Sequence, residues 1–306
     1  MDTLGDMRAF VRVVEAGGIT AAATQLGLAK SAVSRRIRSL ETSAGTELFR
    51  RRAHQLELTE AGLLLYRRSV QVIQDVEEAF AQAGDAHSNL AGTIRLGAPV
   101  SFGAMYMADP LAEFSTRHPA IRFEINLDDK RVDLMEQNLD VALRVGDLTE
   151  SDLKGRRLSR VRHIMCASPE YWAKHGRPVT LDDLDSHRLL RYGNHARREL
   201  LPCITPLGER VEKEVQVVAA LDNGDLMREL AVRGLGVVVE PSFILRDAIR
   251  DGSLEPVLLD HLWYDAHLYA IYLPTRHMSR RVRVFIDFLV ETFSDPPSWD
   301  DDLAIS

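Results

Sequence analysis

The sequence predicts an α/β protein in three stretches: a small, mostly helical head, one long helix, and a larger body of two α/β lobes. Three observations predict it. Between Thr20 and Glu41, two short helical patterns flank a glycine, and the second bears a dense row of cations. From Leu63 to Ala83 a run without Gly or Pro repeats its apolar residues at heptad spacing. After Gly92 the pattern becomes strand–helix alternation, which implies largely parallel sheets.

The head is read first. Met7, Phe10, Val11 and Val14 form an apolar stripe on a first helix that stops at Gly17-Gly18. In the second helix Thr20 is placed to cap, and Ala21, Ala22 and Ala23 let a neighbour approach closely. Gly27 stands where a left-handed turn residue is needed. Val33, Ile37 and Leu40 then recur at spacings of four and three, while Lys30, Ser31, Ser34, Arg35, Arg36 and Arg38 fill the other face. A helix that is apolar behind and basic in front suits the major groove of DNA. The plainer alternative is an alanine-rich hairpin with solvated arginines. Leu48–Thr59, LFRRRAHQLELT, reads as a β-hairpin wing whose edge carries Arg50, Arg51 and Arg52. The three helices and the wing together make a winged helix-turn-helix.

Thr59 is a plausible cap for the long helix, with Glu60 favourable in its first turn. Leu65, Tyr66, Ser69, Val72, Ile73, Val76, Ala79, Phe80 and Ala83 form its stripe. At 1.5 Å per residue it spans on the order of 37 Å, too long to be covered by so small a head. Its stripe pairs with a second copy or packs on another domain. Gly84 to Gly92 reads as a hinge. In the body, strands are expected at Thr93–Ala98, Ile121–Leu127, Val141–Val145, Val161–Ala167, Val211–Val218, Val237–Val239 and His267–Leu273. Helices are expected from near Gly103 to His118, over Val132–Gln137, over Asn223–Arg233 and over Ser279–Phe293. The chain crosses to its second lobe near Val161 and returns near His267. The tail from Asp295 reads as disordered.

Bulk properties narrow the function classes. The chain has 306 residues, 45% apolar and 27% charged, which suits two or more globular domains. Residues 1–70 hold eleven Lys/Arg against seven Asp/Glu, an excess of four positive charges; the remainder therefore carries −11 to reach the total of −7. A basic head on an acidic body turns the head toward phosphate. No run approaches the ~18 apolar residues of a membrane helix, and the N-terminus lacks the basic-then-apolar order of an export signal. A cytoplasmic location is expected. Cys166 and Cys203 read as buried, reduced thiols, with a redox-sensing pair as the alternative. Enzyme signatures are weak: no P-loop or GxSxG occurs, and Gly234-Leu235-Gly236 is too short for a nucleotide fingerprint. His163 with Cys166, or His261 with His267, is too sparse for a metal site. No catalytic residue, cofactor or metal is expected.

The first ninety residues resemble the winged helix-turn-helix of LysR-type transcriptional regulators. Phe10, Val13, Gly18, Ala22, Ala23, Leu26, Ser31, Val33, Ser34, Ile37, Leu40, Glu41, Gly45, Leu48, Phe49, Arg51, Leu58, Thr59, Ala61 and Gly62 carry the resemblance. SAVSRRI with the following LE, DVALRVG and CASPEYW resemble the subgroup answering to small aromatic or carboxylic acids. The resemblance implies a DNA-binding domain over 1–59, a dimerising linker helix over 60–88, and an effector domain over 89–306 with the fold of a periplasmic solute-binding protein. Lobe I would span about 92–162 and 268–294, and lobe II about 163–267. It also implies double-stranded DNA as partner, base contacts from Lys30 and Ser31, and phosphate contacts from Ser34, Arg35, Arg51 and Thr59. Arg36 and Arg38 either join them or are solvated. Ala29 departs from the family's usual serine cap, a loss of ~1 kcal/mol unless Ser31 compensates. The effector would lie between the lobes, where Ser101, Phe102, Arg144, Gly193 and Asn223 are candidates. Ser101 and the backbone around it could hold a carboxylate, and Arg144 could pair with it. Capping by Ser101 and Asn223 and an internal ion pair for Arg144 are the plainer alternatives. Dimers through the linker helix, assembling as tetramers, are implied.

Overall fold

The computed structural model describes residues 2–52, 55–84, 90–130, 134, 137–146, 154–193, 198–273, 278–293, 295–301 and 303. The chain forms two compact units, Met1–Asn89 and Leu90–Ser306. The expected hinge at 84–92 and helix at 132–137 fall mostly outside the described residues.

In the first unit, helices α1 (Thr3–Glu15), α2 (Ile19–Leu26) and α3 (Lys30–Ala44) precede a hairpin of β1 (Phe49–Arg52) and β2 (Gln55–Leu58) and then helix α4 (Glu60–Gly84). Asp2 caps α1 by accepting the Gly5 N–H at 2.9 Å. Gly17, Gly27 and Gly45 take positive φ where the first three helices end. Thr20 does not cap α2. The helix begins one residue earlier, on Gly18, with no side-chain acceptor, and Thr20 lies in the first turn. Phe10, Val13, Ala22, Ala23, Val33, Ile37, Leu40 and Leu48 form the core of this unit. Thr59 caps α4, accepting the Gly62 N–H at 2.9 Å. Glycine at 62 is required by space: a Cβ there would lie 2.1 Å from the Leu48 carbonyl oxygen.

The second unit contains two lobes. Lobe I is built on a five-stranded sheet ordered β4-β3-β5-β13-β6. Its strands are β3 (Ala91–Ala98), β4 (Ala120–Leu127), β5 (Val141–Gly146), β6 (Lys154–Val161) and β13 (Ala266–Tyr272). Helices α5 (Val100–Tyr106), α6 (Ala108–Arg117) and α10 (Arg280–Thr292) belong to it. In lobe II, β8 (Arg188–Tyr192), β9 (Arg198–Ile204) and β10 (Arg210–Leu221) make one sheet. Strands β7 (His163–Ala167), β11 (Val238–Pro241) and β12 (Glu255–Val257) make another. Val237 stitches the two together through 2.8 Å bonds to Arg188 and Leu190. Helices α7 (Pro169–His175), α8 (Gly224–Val232) and α9 (Ser242–Arg250) complete the lobe.

Three expectations need correction. The sheets are not largely parallel. Strand β3 runs parallel to β4 and β5, and β8 to β10, but the remaining pairs are antiparallel. Strands that return from the other lobe, or from the short turn between β9 and β10, must run backwards. The segment Val161–Ala167 is two strands in two sheets, with the crossing at Arg162. The helix expected from near Gly103 is two helices, α5 already starting at Val100.

The tail is not loose either. Trp299 is buried, with its ring 5.7 Å from Phe102 and 5.9 Å from Phe243. Asp295 accepts the Arg160 N–H at 2.7 Å and the Ser159 hydroxyl at 2.9 Å. Prolines and acids hid an anchored aromatic side chain that removes more apolar surface than the tail's polarity suggests. Replacing Trp299 with Ala is expected to lower stability by about 3–5 kcal/mol. Urea unfolding checks this, and an unchanged midpoint would show a tail that is not anchored.

Candidate nucleic-acid interface and ligand cleft

Helix α3 separates its two faces cleanly. Val33, Ile37 and Leu40 are buried, while Lys30, Ser31, Arg35 and Arg38 are exposed and Ser34 is half-buried. Among the described residues no acid pairs with Lys30, Arg35 or Arg38. Ala29 begins the helix without a side-chain cap, and Ser31 supplies none. Arg36 faces elsewhere: its guanidinium lies 3.2 Å from Asp2 and 3.9 Å from Asp6. It ties α3 to α1, as does the Ser39 hydroxyl donating to Asp6 at 2.7 Å. Thr59 is buried, and its hydroxyl donates to the Glu47 carbonyl at 2.8 Å while accepting from Gly62. Both residues are thus committed inside the head. Arg50 is exposed on the wing; the side chain of Arg51 lies outside the described residues.

A cavity of about 1240 Å³ opens between the two lobes. Lobe I contributes Pro99, Ser101 and Phe102 after β3, Asp128–Lys130 after β4, and Leu143–Gly146 at the end of β5. Lobe II contributes His163, Arg191, Tyr192, Glu240 and the crossing segment Leu262–Ala266, among others. Strand ends of both sheets therefore face one space, the usual position of a ligand in open α/β sheets.

Carboxylates dominate its polar chemistry. Asp129 accepts the Val100 N–H at 2.9 Å, so the start of α5 is occupied by the protein's own acid. Ser101 donates its hydroxyl across the cleft to Asp225 at 2.6 Å, and Asp225 also pairs with Arg228 at 2.9 Å. Glu240 is 4% exposed and lines the cavity. Burial pushes its carboxyl up to about 8; Arg191 opposes that shift, and Asp129 and Asp225 add to it. Burial, and then the charges of Asp129, Glu240, Asp222 and Asp128, raise the Tyr192 phenol. Burial drives His163 down to about 4, and its Nδ1 is sealed from solvent without a partner. Cys166 and Cys203 are free and buried, and burial raises both thiols. That removes the thiolate character a redox sensor uses.

The five predicted effector residues separate accordingly. Ser101, Phe102 and Arg144 line the cavity. The Ser101 hydroxyl is engaged by Asp225, and Phe102 is fully buried among Tyr106, Phe243, Phe293 and Trp299. Arg144 is half-buried, and among the described residues nothing hydrogen-bonds or ion-pairs with its guanidinium. Gly193 donates its N–H to Leu221 at 2.6 Å, and Asn223 caps α8 through the Leu226 N–H at 2.9 Å. Neither lines the cavity. Asp129 and Glu240 were missed. Glu240 directly follows the apolar run Val237–Val239 and Asp129 lies two residues past the strand that ends at Leu127, both at the end that faces the cleft, and that position was the available signal.

Comparisons with known proteins agree with this geometry. Residues 4–63 match the family model described as bacterial regulatory helix-turn-helix protein, lysR family, and residues 87–294 match the LysR substrate binding domain. The transcriptional regulator CrgA of Neisseria meningitidis serogroup B is 32% identical over 287 residues, covering 94% of this chain and 95% of that one. The solved structure of CrgA superposes with a TM-score of 0.59 at 31% identity, covering 95% of this chain and 99% of the other. The Vibrio cholerae virulence activator AphB gives 0.58 at 28% identity, with the same coverage. Among the described residues no helix is long and apolar enough to cross a membrane. A DNA-binding head and a substrate-binding body, matched over nearly the whole chain, place this protein in the LysR family of transcriptional regulators, which are not enzymes.

Proposed function

We propose that this regulator binds a dyad-related operator through the basic face of α3 and adjusts that binding to a small-molecule effector held between the lobes of its body. One observation carries the first half: α3 buries Val33, Ile37 and Leu40 and leaves Lys30, Arg35 and Arg38 exposed without acidic partners. Lys30 and Ser31, in the first turn, would read base edges, and Ser34, Arg35 and the wing arginines, Arg51 among them, would meet phosphates. Arg36 and Thr59 would contribute by holding the head rigid, since their polar atoms are already engaged.

Residues 1–59 would then be the DNA-binding domain, 60–88 the dimerising linker and 89–306 the effector domain. Helix α4 supports that assignment. It is 25 residues long and leaves Leu63, Leu64, Val72 and Phe80 exposed. Phe80 is 75% exposed, and a second copy of the helix would cover such a stripe. Paired dimers would make the tetramer. The protein would act in the cytoplasm, where its DNA is.

For the effector, Arg144 is the residue of the predicted set that is open to an anionic group, such as the carboxylate of an aromatic or other acid. A ligand bridging both lobes would favour one lobe arrangement over another, and that bias would change the spacing of the paired heads on DNA.

Replacing Arg35 with Ala should weaken binding to every duplex alike and reduce the slope of log affinity against log salt by about one. An unchanged slope in fluorescence anisotropy would remove Arg35 from the phosphate contacts. Lys30→Ala should instead relax preference at one base pair, by about 1–3 kcal/mol, in a competition assay with single-base operator variants. Arg144→Ala should abolish the response of a reporter to an acidic effector while leaving operator affinity intact. A normal response would exclude Arg144 from the site.

A further inference from the structure

The sequence leads one to expect a ligand carboxylate at the start of α5, received by Ser101 and the backbone beside it. The structure fills that seat with protein. Asp129 takes the Val100 N–H, and Asp225 takes the Ser101 hydroxyl. An anion entering there would meet two carboxylates before it met a donor.

The opposite wall is more unusual. Glu240 sits at the end of β11, 96% removed from solvent, with its side chain on the cavity wall. Its Oε2 is packed tightly against the start of α8, 2.9 Å from where a Cβ on Gly224 would be. Among the described residues no hydrogen bond or salt bridge reaches the carboxylate. Arg191 is the cation near it, but that guanidinium donates to the Tyr264 hydroxyl. A buried carboxylate without a partner is costly to ionise, so proteins rarely keep one without a use.

We propose that the effector carries an ammonium group, and that Glu240, with Asp129 facing it from the other lobe, receives that group. The assignment rests on the reading of the cleft as the effector site. The chemistry is complementary on each count. An ammonium gives Glu240 the charge-assisted hydrogen bonds it lacks and offsets the repulsion between Glu240, Asp129 and Asp225. Tyr192 and Tyr264 also line the cavity, and aromatic faces attract organic cations. Among the described residues no three His, Cys, Asp or Glu side chains are grouped as a metal ion needs, so the donor set favours an organic cation. Because Asp129 and Glu240 belong to different lobes, an ammonium between them favours the ionised form of Glu240 and ties the two lobes to one charge. Arg144 remains for an anionic end, which makes an amine with or without a carboxylate acceptable.

The test is binding to the full-length protein, by calorimetry and thermal shift, with putrescine, agmatine and L-lysine as amine probes and adipate and benzoate as carboxylate probes. At least one amine is expected to bind and raise the melting temperature. Glu240→Gln should weaken that binding about tenfold or more, and Asp129→Asn should weaken it too, because both lose an ionic hydrogen-bond acceptor. Both substitutions keep size and shape, and neither should lower the melting temperature of the ligand-free protein. Amine binding that is equal in wild type and Glu240→Gln overturns the proposal. If the carboxylates bind, the amines do not, and Arg144→Ala abolishes the binding, the ammonium assignment fails while the cleft remains the effector site. If no probe of either class binds, both fall.

Discussion

The body of this protein depends on a two-stranded connection between its lobes. The chain leaves lobe I along β6 and returns along β13, and these strands are neighbours, with Ala266 paired to Val161. These two covalent passages between the lobes therefore lie side by side, and the tail makes a third, bringing Leu303 into the core of lobe II. The returning strand must run antiparallel to its neighbours, which explains why a body built from βα units carries antiparallel strands at the heart of its sheet. It also fixes the cavity. With the sheet of lobe I joined to lobe II at this ribbon, the ends of β3, β4 and β5 face the ends of β8 and β11 across one cavity. Hinge motion about such a ribbon needs few backbone changes, because two adjacent crossings can bend together.

Other contacts work against free opening. Ser101 bonds to Asp225 from lobe to lobe, and the Tyr106 hydroxyl donates to the Phe243 carbonyl at 3.4 Å. Trp299 packs on Phe102 of one lobe and Phe243 of the other. On the other side stand acids that repel one another, with Asp129 and Asp225 both acting on Glu240. Aromatic packing is insensitive to a ligand's charge, whereas carboxylate repulsion is directly altered by it. On the proposed reading of the cleft, the balance between the two would give a bound charge a means of acting on lobe geometry that an uncharged ligand of equal size would lack.

Legibility in the sequence followed the range of the interaction. The head was legible nearly to the residue, because Val33, Ile37 and Leu40 and the glycines at 17, 27 and 45 act within one or two helical turns. Helix α10 was bounded correctly by Ser279, which accepts the Val282 N–H, and by Phe293, for the same reason. What failed was non-local. Nothing near Trp299 announces that Phe102, almost two hundred residues earlier, will bury it. Ser101 looked like an anion receiver because its local setting is that of one, and Asp225, the residue that claims it, lies 124 positions away. Glu240 reads as an ordinary acid closing an apolar strand. Its significance comes from burial and from Asp129 on another lobe, neither of which has a sequence period. Arg36 is the instructive intermediate. It belongs to the basic row, but Asp2 and Asp6 turn it inward, and a count of charges cannot distinguish it from Arg35.

The two capless helix starts in the head bear on the same question of where charge is left unsatisfied. Helices α2 and α3 begin on Gly18 and Ala29 with no side-chain acceptor, whereas α1 begins on Asp2 and α4 on Thr59, which both cap. An absent cap costs about 1 kcal/mol and leaves N–H groups and the positive end of the helix dipole uncompensated. The two starts differ from the capped pair in what they would serve. On the reading of α3 as the recognition helix, an internal acceptor at its start would neutralise the positive end that a phosphate can use. A serine or aspartate at position 29 would make the isolated head more stable and its first turn less available to DNA. The unpaired cations at Lys30, Arg35 and Arg38 follow the same logic. In the head the unsatisfied groups are donors and cations, which suits phosphate; in the cleft the buried acid Glu240 would suit an amine, and Arg144 an anionic end. The chain thus separates its electrostatics by partner, and a net charge of −7 conceals both halves.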